Sequence, residues 1–204
     1  MSANITTLVD LIRHGEPVGG RCYRGHRDDP LSEKGWAQMR EAVGDRCPWQ
    51  AVVSSPLSRC RAFAEELSRR HGLPLQLDDR LKEIGFGSWE GLTADAVERE
   101  QPGALMRFYA DPVANPPPGA EPLERFRRRV AEGWEDLCRD YAGRHVLVVG
   151  HAGVMRVCVA LALDLPLASL FRIKVDNAAV TRIQCDRASD GPPFYQLLFH
   201  GGVL

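Results

Sequence analysis

The sequence predicts an α/β fold in three layers, α/β/α, with a mostly parallel central sheet, one antiparallel edge and a small cap of helix and loop. Three features of the 204-residue chain carry that expectation. Short, mostly apolar runs recur at residues 8–12, 51–54 and 145–150, as suits strands buried on both faces. Segments of helical periodicity separate those runs, which is the pattern of strand–helix–strand units. Residues 178–185 and 194–199 instead alternate like two paired strands, joined by the turn Ser189-Asp190-Gly191-Pro192. The length suits one domain over residues 1–204, with a cap insertion at about 79–121.

Each element has its own local reason. The first strand stops at Arg13-His14-Gly15. Ser32 then caps a helix running to about Val43, with Trp36, Met39 and Val43 spaced for one face. The strand at 51–54 leads into a helix over 57–71. That helix ends at Gly72 with Arg69, Arg70 and His71 in its last turn, in keeping with the glycine C-cap and the helix dipole. Residues 73–77 form a weak third strand. The stretch 79–121 differs in texture: it holds Gly85, Gly87 and Gly91, a helix near 93–100, then Pro112, Pro116, Pro117 and Pro118. It reads as an insertion over a sheet edge. A long helix over 122–141 keeps Phe126, Val130, Trp134, Leu137 and Tyr141 at helical spacing, with Arg127-Arg128-Arg129 expected to form a solvated face. The strand at 145–150 ends at His151-Ala152-Gly153 and continues as an apolar helix to about Leu163.

Composition excludes several classes of partner. There are 26 basic and 27 acidic side chains, for a net charge of −1, so no bulk field draws the chain to nucleic acid or to an anionic membrane. The six cysteines (Cys22, Cys47, Cys60, Cys138, Cys158 and Cys185) show no C-x-x-C spacing and are too few for a disulfide scaffold. Cys158 lies in an apolar run and reads as a small core residue. No basic segment followed by an apolar signal region opens the sequence, and no apolar run reaches the ~18 residues of a membrane span. A cytoplasmic home is expected. Only Lys34, Lys82 and Lys174 are lysines, so arginine, the better fork for phosphate and carboxylate, supplies nearly all the positive charge.

The chemistry-bearing residues gather at strand ends. His14 and His151 each follow a buried strand directly, and each is followed by a small residue. In open parallel sheets the carboxyl ends of strands are where ligands bind, and a strand-to-helix turn such as that at Ala152 aims backbone N–H groups at an anion. Arg13 adjoins His14, and Arg59 stands one turn beyond the strand ending at Ser54-Ser55. Two arginines and two histidines around one point repel each other unless an anion lies between them. A phosphoryl group fits best, because guanidinium forks pair with its oxygens; a carboxylate would use fewer of the donors.

These residues fall within motifs that resemble those of the histidine phosphatase superfamily. Leu11-Ile12-Arg13-His14-Gly15-Glu16 resembles its Arg-His-Gly motif, and Pro30-Leu31-Ser32-Glu33-Lys34-Gly35 looks like its P-L-S/T-x-x-G helix start. Ser54-Ser55-Pro56-Leu57-Ser58-Arg59 is similar to its second arginine motif. Leu81-Lys82-Glu83-Ile84-Gly85-Phe86-Gly87-Ser88-Trp89-Glu90-Gly91 resembles its acid-bearing stretch, and Val148-Val149-Gly150-His151-Ala152-Gly153 its second histidine motif. The five pieces occur in the family's order over nearly the whole chain. The resemblance implies a phosphomonoesterase that uses His14 as nucleophile and Glu83 as proton donor and then base. Arg13, Arg59, His151 and the Ala152 amide would hold the phosphoryl oxygens, and no metal or cofactor is expected. Glu90, the rival acid, reads as structural. The implied partners are a small phosphorylated metabolite and the inorganic phosphate released from it, with a homodimer left open.

Substrate is read from the loops. The mutases of the family commonly carry an asparagine shortly after Arg-His-Gly-Glu, where this chain has Pro17-Val18-Gly19-Gly20-Arg21-Cys22. The run from Tyr23-Arg24-Gly25-His26 to Gly35 looks like the corresponding loop of the α-ribazole-5′-phosphate phosphatases of cobalamin assembly, and Ala168-Ser169-Leu170-Phe171-Arg172 is similar to their late segment. Glu16, Arg21, Tyr23 and Arg24 are therefore the expected substrate contacts. Other phosphate esters, a mutase, a phosphate-binding protein without turnover, and a metal site built on His14, Cys22, His26 and His151 are the competing readings.

Overall fold

The computed structural model describes residues 5–188 and 191–202. Six strands form one sheet: β1 (Ile5–Arg13), β2 (Ala51–Ser54), β3 (Leu75–Leu77), β4 (His145–Gly150), β5 (Val180–Arg187) and β6 (Phe194–Gly202). Their spatial order is β3-β2-β4-β1-β5-β6. The pairs β3–β2, β2–β4 and β4–β1 are parallel, whereas β5 runs against both β1 and β6. The antiparallel edge is thus the C-terminal pair that alternates in sequence. Of the turn expected between those strands, Ser189 and Asp190 lie outside the described residues.

Four long helices cover the two faces. On one side α5 (Leu123–Asp140) and α6 (Ala152–Ala162) bury Phe126, Val130, Trp134 and Val154 against Val9, Leu11, Val53 and Val148. On the other, α1 (Glu33–Val43) and α2 (Ser58–His71) bury Met39, Val43, Phe63 and Leu67 against Ile12, Val52, Leu147 and Val149. Successive side chains of a strand point to opposite faces, so runs apolar at every position are what a doubly covered sheet requires. Ser32 caps α1 by accepting from Gly35 N at 3.0 Å, and α2 ends at Gly72. No described helix is long and apolar enough to cross a membrane.

Three details depart from the sequence expectation. β1 begins at Ile5, ahead of the apolar run, because Thr6 and Thr7 pair with Asp186 and Cys185 of β5. Residues 79–121 hold α3 (Ala94–Glu100), as expected, and also α4 (Ala104–Ala110). That second helix is too short for its period to stand out, and is fixed by packing Ala104 and Phe108 beside Trp89 and Val97. Arg127 and Arg128 are exposed, but Arg129 is not part of a solvated face: its side chain is 19% exposed and is drawn inward by backbone carbonyls of residues 80–83.

One charged residue lies in the middle of the sheet. Asp10 of β1 is fully buried. It accepts from Trp49 Nε1 (2.8 Å), Arg182 Nε and Nη2 (2.7 and 2.9 Å), and lies 2.9 Å from His145 Nε2. Burial alone would raise its pKa, but the hydrogen bonds from His145, Arg182 and Trp49 outweigh it and hold the carboxyl below its ordinary value. A carboxyl depressed in the folded state stabilises the fold above its unfolded pKa of about 4, and that contribution is lost as pH falls through the folded value. Asp10→Asn is therefore expected to cost about 3 kcal/mol or more at pH 7 and to flatten the acid limb of stability. Urea melts of both proteins at pH 7 and pH 4 measure this, and equal midpoints would refute it.

Candidate active site

The register of β1 on β4 pairs Arg13 with Gly150, so the residues that follow, His14 and His151, emerge side by side. Their ring centroids are 5.2 Å apart, edge to face. His14 N also donates to Gly150 O at 2.9 Å, extending the pairing one residue past the strands. Both imidazoles are buried. His14 Nδ1 lies 2.7 Å from Gly15 O; a carbonyl only accepts, so Nδ1 carries the proton and Nε2 keeps its lone pair. His151 Nε2 is 2.8 Å from Ser55 Oγ. Burial, followed by the charges of Arg13 and Arg59, pushes the His14 pKa well below the ordinary imidazole value. Burial and Arg59 do the same to His151. Both rings are neutral near pH 7.

Arg59, 1% exposed in the first turn of α2, is held by Arg27 O and Gly25 O at 2.8 Å each. Arg13 donates to Val175 O at 2.8 Å, and burial pushes its pKa down to about 10, which still leaves it charged near pH 7. The Nε groups of both arginines are buried and have no hydrogen-bond partner among the described residues. An unpaired buried donor is costly and marks where a ligand atom is wanted.

Glu83, 8% exposed, comes from the segment that follows β3. Its Oε1 accepts from Ile84 N (3.0 Å) and its Oε2 from Gly153 N (3.1 Å) in the first turn of α6. Gly153 makes that approach feasible, since a Cβ there would overlap the Glu83 carboxylate and crowd the Phe126 ring. Gly15 and Gly35 play a similar part: a Cβ on either would overlap the other's loop, so the start of α1 can lie directly against the turn after β1. Ala152 is the first residue of α6, beside His151.

The remaining expected contacts divide. Arg21 is exposed, and its charge acts on Arg13. Tyr23 packs on Phe86 and Trp89, with its hydroxyl 2.9 Å from that of Tyr109. Arg24 is buried, but its guanidinium is spent on Asp29 Oδ2 (3.0 Å) and Val18 O (2.7 Å), and Glu16 pairs with Lys34 at 3.0 Å. Glu90 accepts the backbone N–H groups of His26, Arg27 and Phe86, a structural role as expected.

Sequence reasoning missed Ser55, which orients His151; its place at the strand end beside Ser54 could have flagged it. It also missed Cys60, whose sulfur donates to Gly150 O at 3.3 Å and lies 3.5 Å from His151 Nε2. Burial pushes that thiol's pKa up, so it is an inert packing group. Asn177 Nδ2 donates to His14 O at 3.0 Å from a loop without any periodic signal. Arg156, one turn along α6 from Gly153, donates Nε to Ile173 O (2.9 Å) and lies over the Phe171 ring.

Residues 9–191 match the histidine phosphatase superfamily (branch 1). The chain belongs to that family. It is 38% identical to the bifunctional protein Rv2228c of Mycobacterium tuberculosis over 97% of its own length, but spans only 55% of that relative. It is 34% identical to the glucosyl-3-phosphoglycerate phosphatase of M. tuberculosis, with 78% of this chain and 76% of that protein covered. The solved structure of a mycobacterial glucosyl-3-phosphoglycerate phosphatase superposes with a TM-score of 0.85 at 28% identity, over 97% of this chain and 99% of the other. The adenosylcobalamin/alpha-ribazole phosphatase of Salmonella typhimurium is 29% identical over 85% of this chain and 88% of its own.

Because Gly153 alone leaves room for the Glu83 carboxylate, Gly153→Ala is expected to displace it. Turnover of an aryl phosphate ester should fall on the order of tenfold or more. An unaltered rate would show that the position of the Glu83 carboxylate does not matter to turnover.

Proposed function

We propose that the chain is a phosphoric monoester hydrolase that acts on small phosphorylated metabolites through a phosphohistidine, without a metal ion. The observation that carries this reading is the pair of buried, neutral imidazoles in contact, flanked by two arginines that each retain an unpaired buried donor. Such a site favours a tetrahedral anion, and the fixed proton on His14 Nδ1 leaves Nε2 free to act as nucleophile.

The steps follow from the side chains. His14 Nε2 attacks phosphorus as the bond to the leaving oxygen breaks, and Glu83 in its protonated form gives its proton to that oxygen. Arg13, Arg59, His151 and the Ala152 amide hold the non-bridging oxygens and offset their charge, as a magnesium ion does elsewhere. A water molecule then attacks the phosphohistidine. Glu83, now ionised, takes the water's proton, His14 Nε2 departs with its electron pair, and inorganic phosphate is released. Residues 79–121, the proposed cap, hold a cluster of Trp89, Val97, Ala104 and Phe108 against which Tyr23, Phe86 and Phe171 pack.

α-Ribazole 5′-phosphate is the specific substrate favoured by the Tyr23–Gly35 loop, and the contacting ring pairs Tyr23–Phe86 and Tyr109–Phe171 offer aromatic surface to a flat base. The names of the relatives support the phosphatase class and do not single out that ester. The deciding experiment is a phosphate-release panel of α-ribazole 5′-phosphate, 3-phosphoglycerate, sugar phosphates and nucleotides, combined with trapping of labelled enzyme. Release of inorganic phosphate in the presence of a chelator, with label on His14 and none in His14→Ala, is the expected result. An isomerised ester in place of inorganic phosphate would make the protein a mutase, and label elsewhere would remove His14 as nucleophile.

The depressed pKa of His14 adds a pH prediction. The nucleophile stays unprotonated below the ordinary imidazole value of about 6.5. After correction for the ester's own ionisation near pH ~6, kcat/KM is expected to hold steady through that region. An acid limb centred there would contradict the assignment.

A further inference from the structure

Glu83 lies in a stretch without helix or strand, between two 3-10 turns at Asp79–Leu81 and Gly87–Trp89. A proton donor on such a stretch needs its main chain fixed by something else. The fixture is Arg129 on α5. Its Nε and Nη2 form a two-pronged pair with Glu121 at 2.8 and 2.7 Å. Its Nη1 donates to the carbonyls of Arg80 and Lys82, each at 2.7 Å, and Nη2 also donates to Glu83 O at 2.9 Å. A guanidinium has five N–H bonds, and here each has an acceptor. Glu121 in turn grips Gly85, donating its N–H to Gly85 O at 2.9 Å while Oε2 faces Gly85 N at 3.4 Å. His26 Nε2 adds a second donor to Glu83 O at 3.0 Å.

We infer that Arg129, braced by Glu121, is a positioning residue for Glu83: it locks the main chain of residues 80–85 so that the carboxyl meets the Ile84 and Gly153 amides. The inference rests on the proton-transfer role proposed for Glu83. The planar fork is what the task requires, because three carbonyls and a carboxylate must be met at once from fixed directions. A lysine, with three donors on one nitrogen, cannot reproduce that arrangement. Glu121 lies at the far end of the 79–121 segment, so the same guanidinium also ties the end of the cap to its beginning.

A positioning role through a proton donor differs from a general stabilising role in its dependence on the leaving group. Phenolate needs protonation to depart, whereas nitrophenolate, a weaker base, needs it less. In Arg129→Lys and in Glu121→Gln, kcat/KM for phenyl phosphate is expected to fall on the order of tenfold further than kcat/KM for p-nitrophenyl phosphate. Glu83→Gln should show the same selectivity, and adding Arg129→Lys to it should cost little more, because both changes disable one group. Equal losses on the two esters, or additive losses in the double variant, would overturn the inference. If Arg129→Lys does not fold, Glu121→Gln alone decides by the same ratio. Selectivity in Glu83→Gln but not in the other two variants would refute the positioning role only. Its absence in Glu83→Gln would refute the acid role and the inference with it.

Discussion

The parallel pairing of β1 with β4 is the constraint on which the site depends. Six consecutive residue pairs, from Leu8 with His145 to Arg13 with Gly150, set the register. Both strands end at the same level as a result, and the first residue beyond each is a histidine. A slip of one residue would turn every side chain of β1 to the opposite face, placing Asp10 among the α5–α6 core and separating the imidazoles. The hydrophobic faces that pack against α1, α2, α5 and α6 therefore specify the geometry of the candidate site indirectly.

The second constraint is electrostatic. Arg13 and Arg59 stand close to two imidazoles that, if protonated, would add two more positive charges in a buried space. Burial and the arginines remove that difficulty by keeping the rings neutral. The condition that permits the arginines to coexist with the histidines is also the one that leaves the lone pair on His14 Nε2, as the role proposed for it requires. The Gly15 carbonyl completes the arrangement by holding the ring proton on Nδ1. On the proposed mechanism no separate device for activating the nucleophile is required, because the surroundings that would gather an anion also keep the attacking ring neutral.

The sequence made the layers legible because burial on both faces leaves a strong signature: runs such as Val146-Leu147-Val148-Val149 admit few alternatives. Arg13, His14, Arg59 and His151 were legible for a related reason, since each sits at a fixed offset from such a run. Residues whose roles depend on distant contacts were not. Arg129 lies in a triplet of arginines and has no local mark to distinguish it from its exposed neighbours; only the carbonyls of residues 80–83, more than forty positions earlier in the chain, do so. Asn177 and Val175 support His14 and Arg13 from a loop without periodicity. The short helix α4 was missed because two buried residues, Ala104 and Phe108, are too few to establish a period.

Strand β1 also shows how the protein sustains a costly site. Asp10 and Arg13 are three residues apart, about 10 Å along an extended chain. At Asp10 a buried charge has donors from Trp49 and Arg182 and a close contact with His145, binding β1 to β5, β4 and the chain ahead of β2. At Arg13 a half-buried charge keeps a buried, unpaired Nε and a depressed pKa. Complete pairing at one point anchors the strand, and incomplete pairing at the other leaves binding capacity at its end. A site that satisfied all its donors internally would be more stable and would have nothing left to offer a phosphate. The distance between the two charges lets the anchor be fully paired without closing the site.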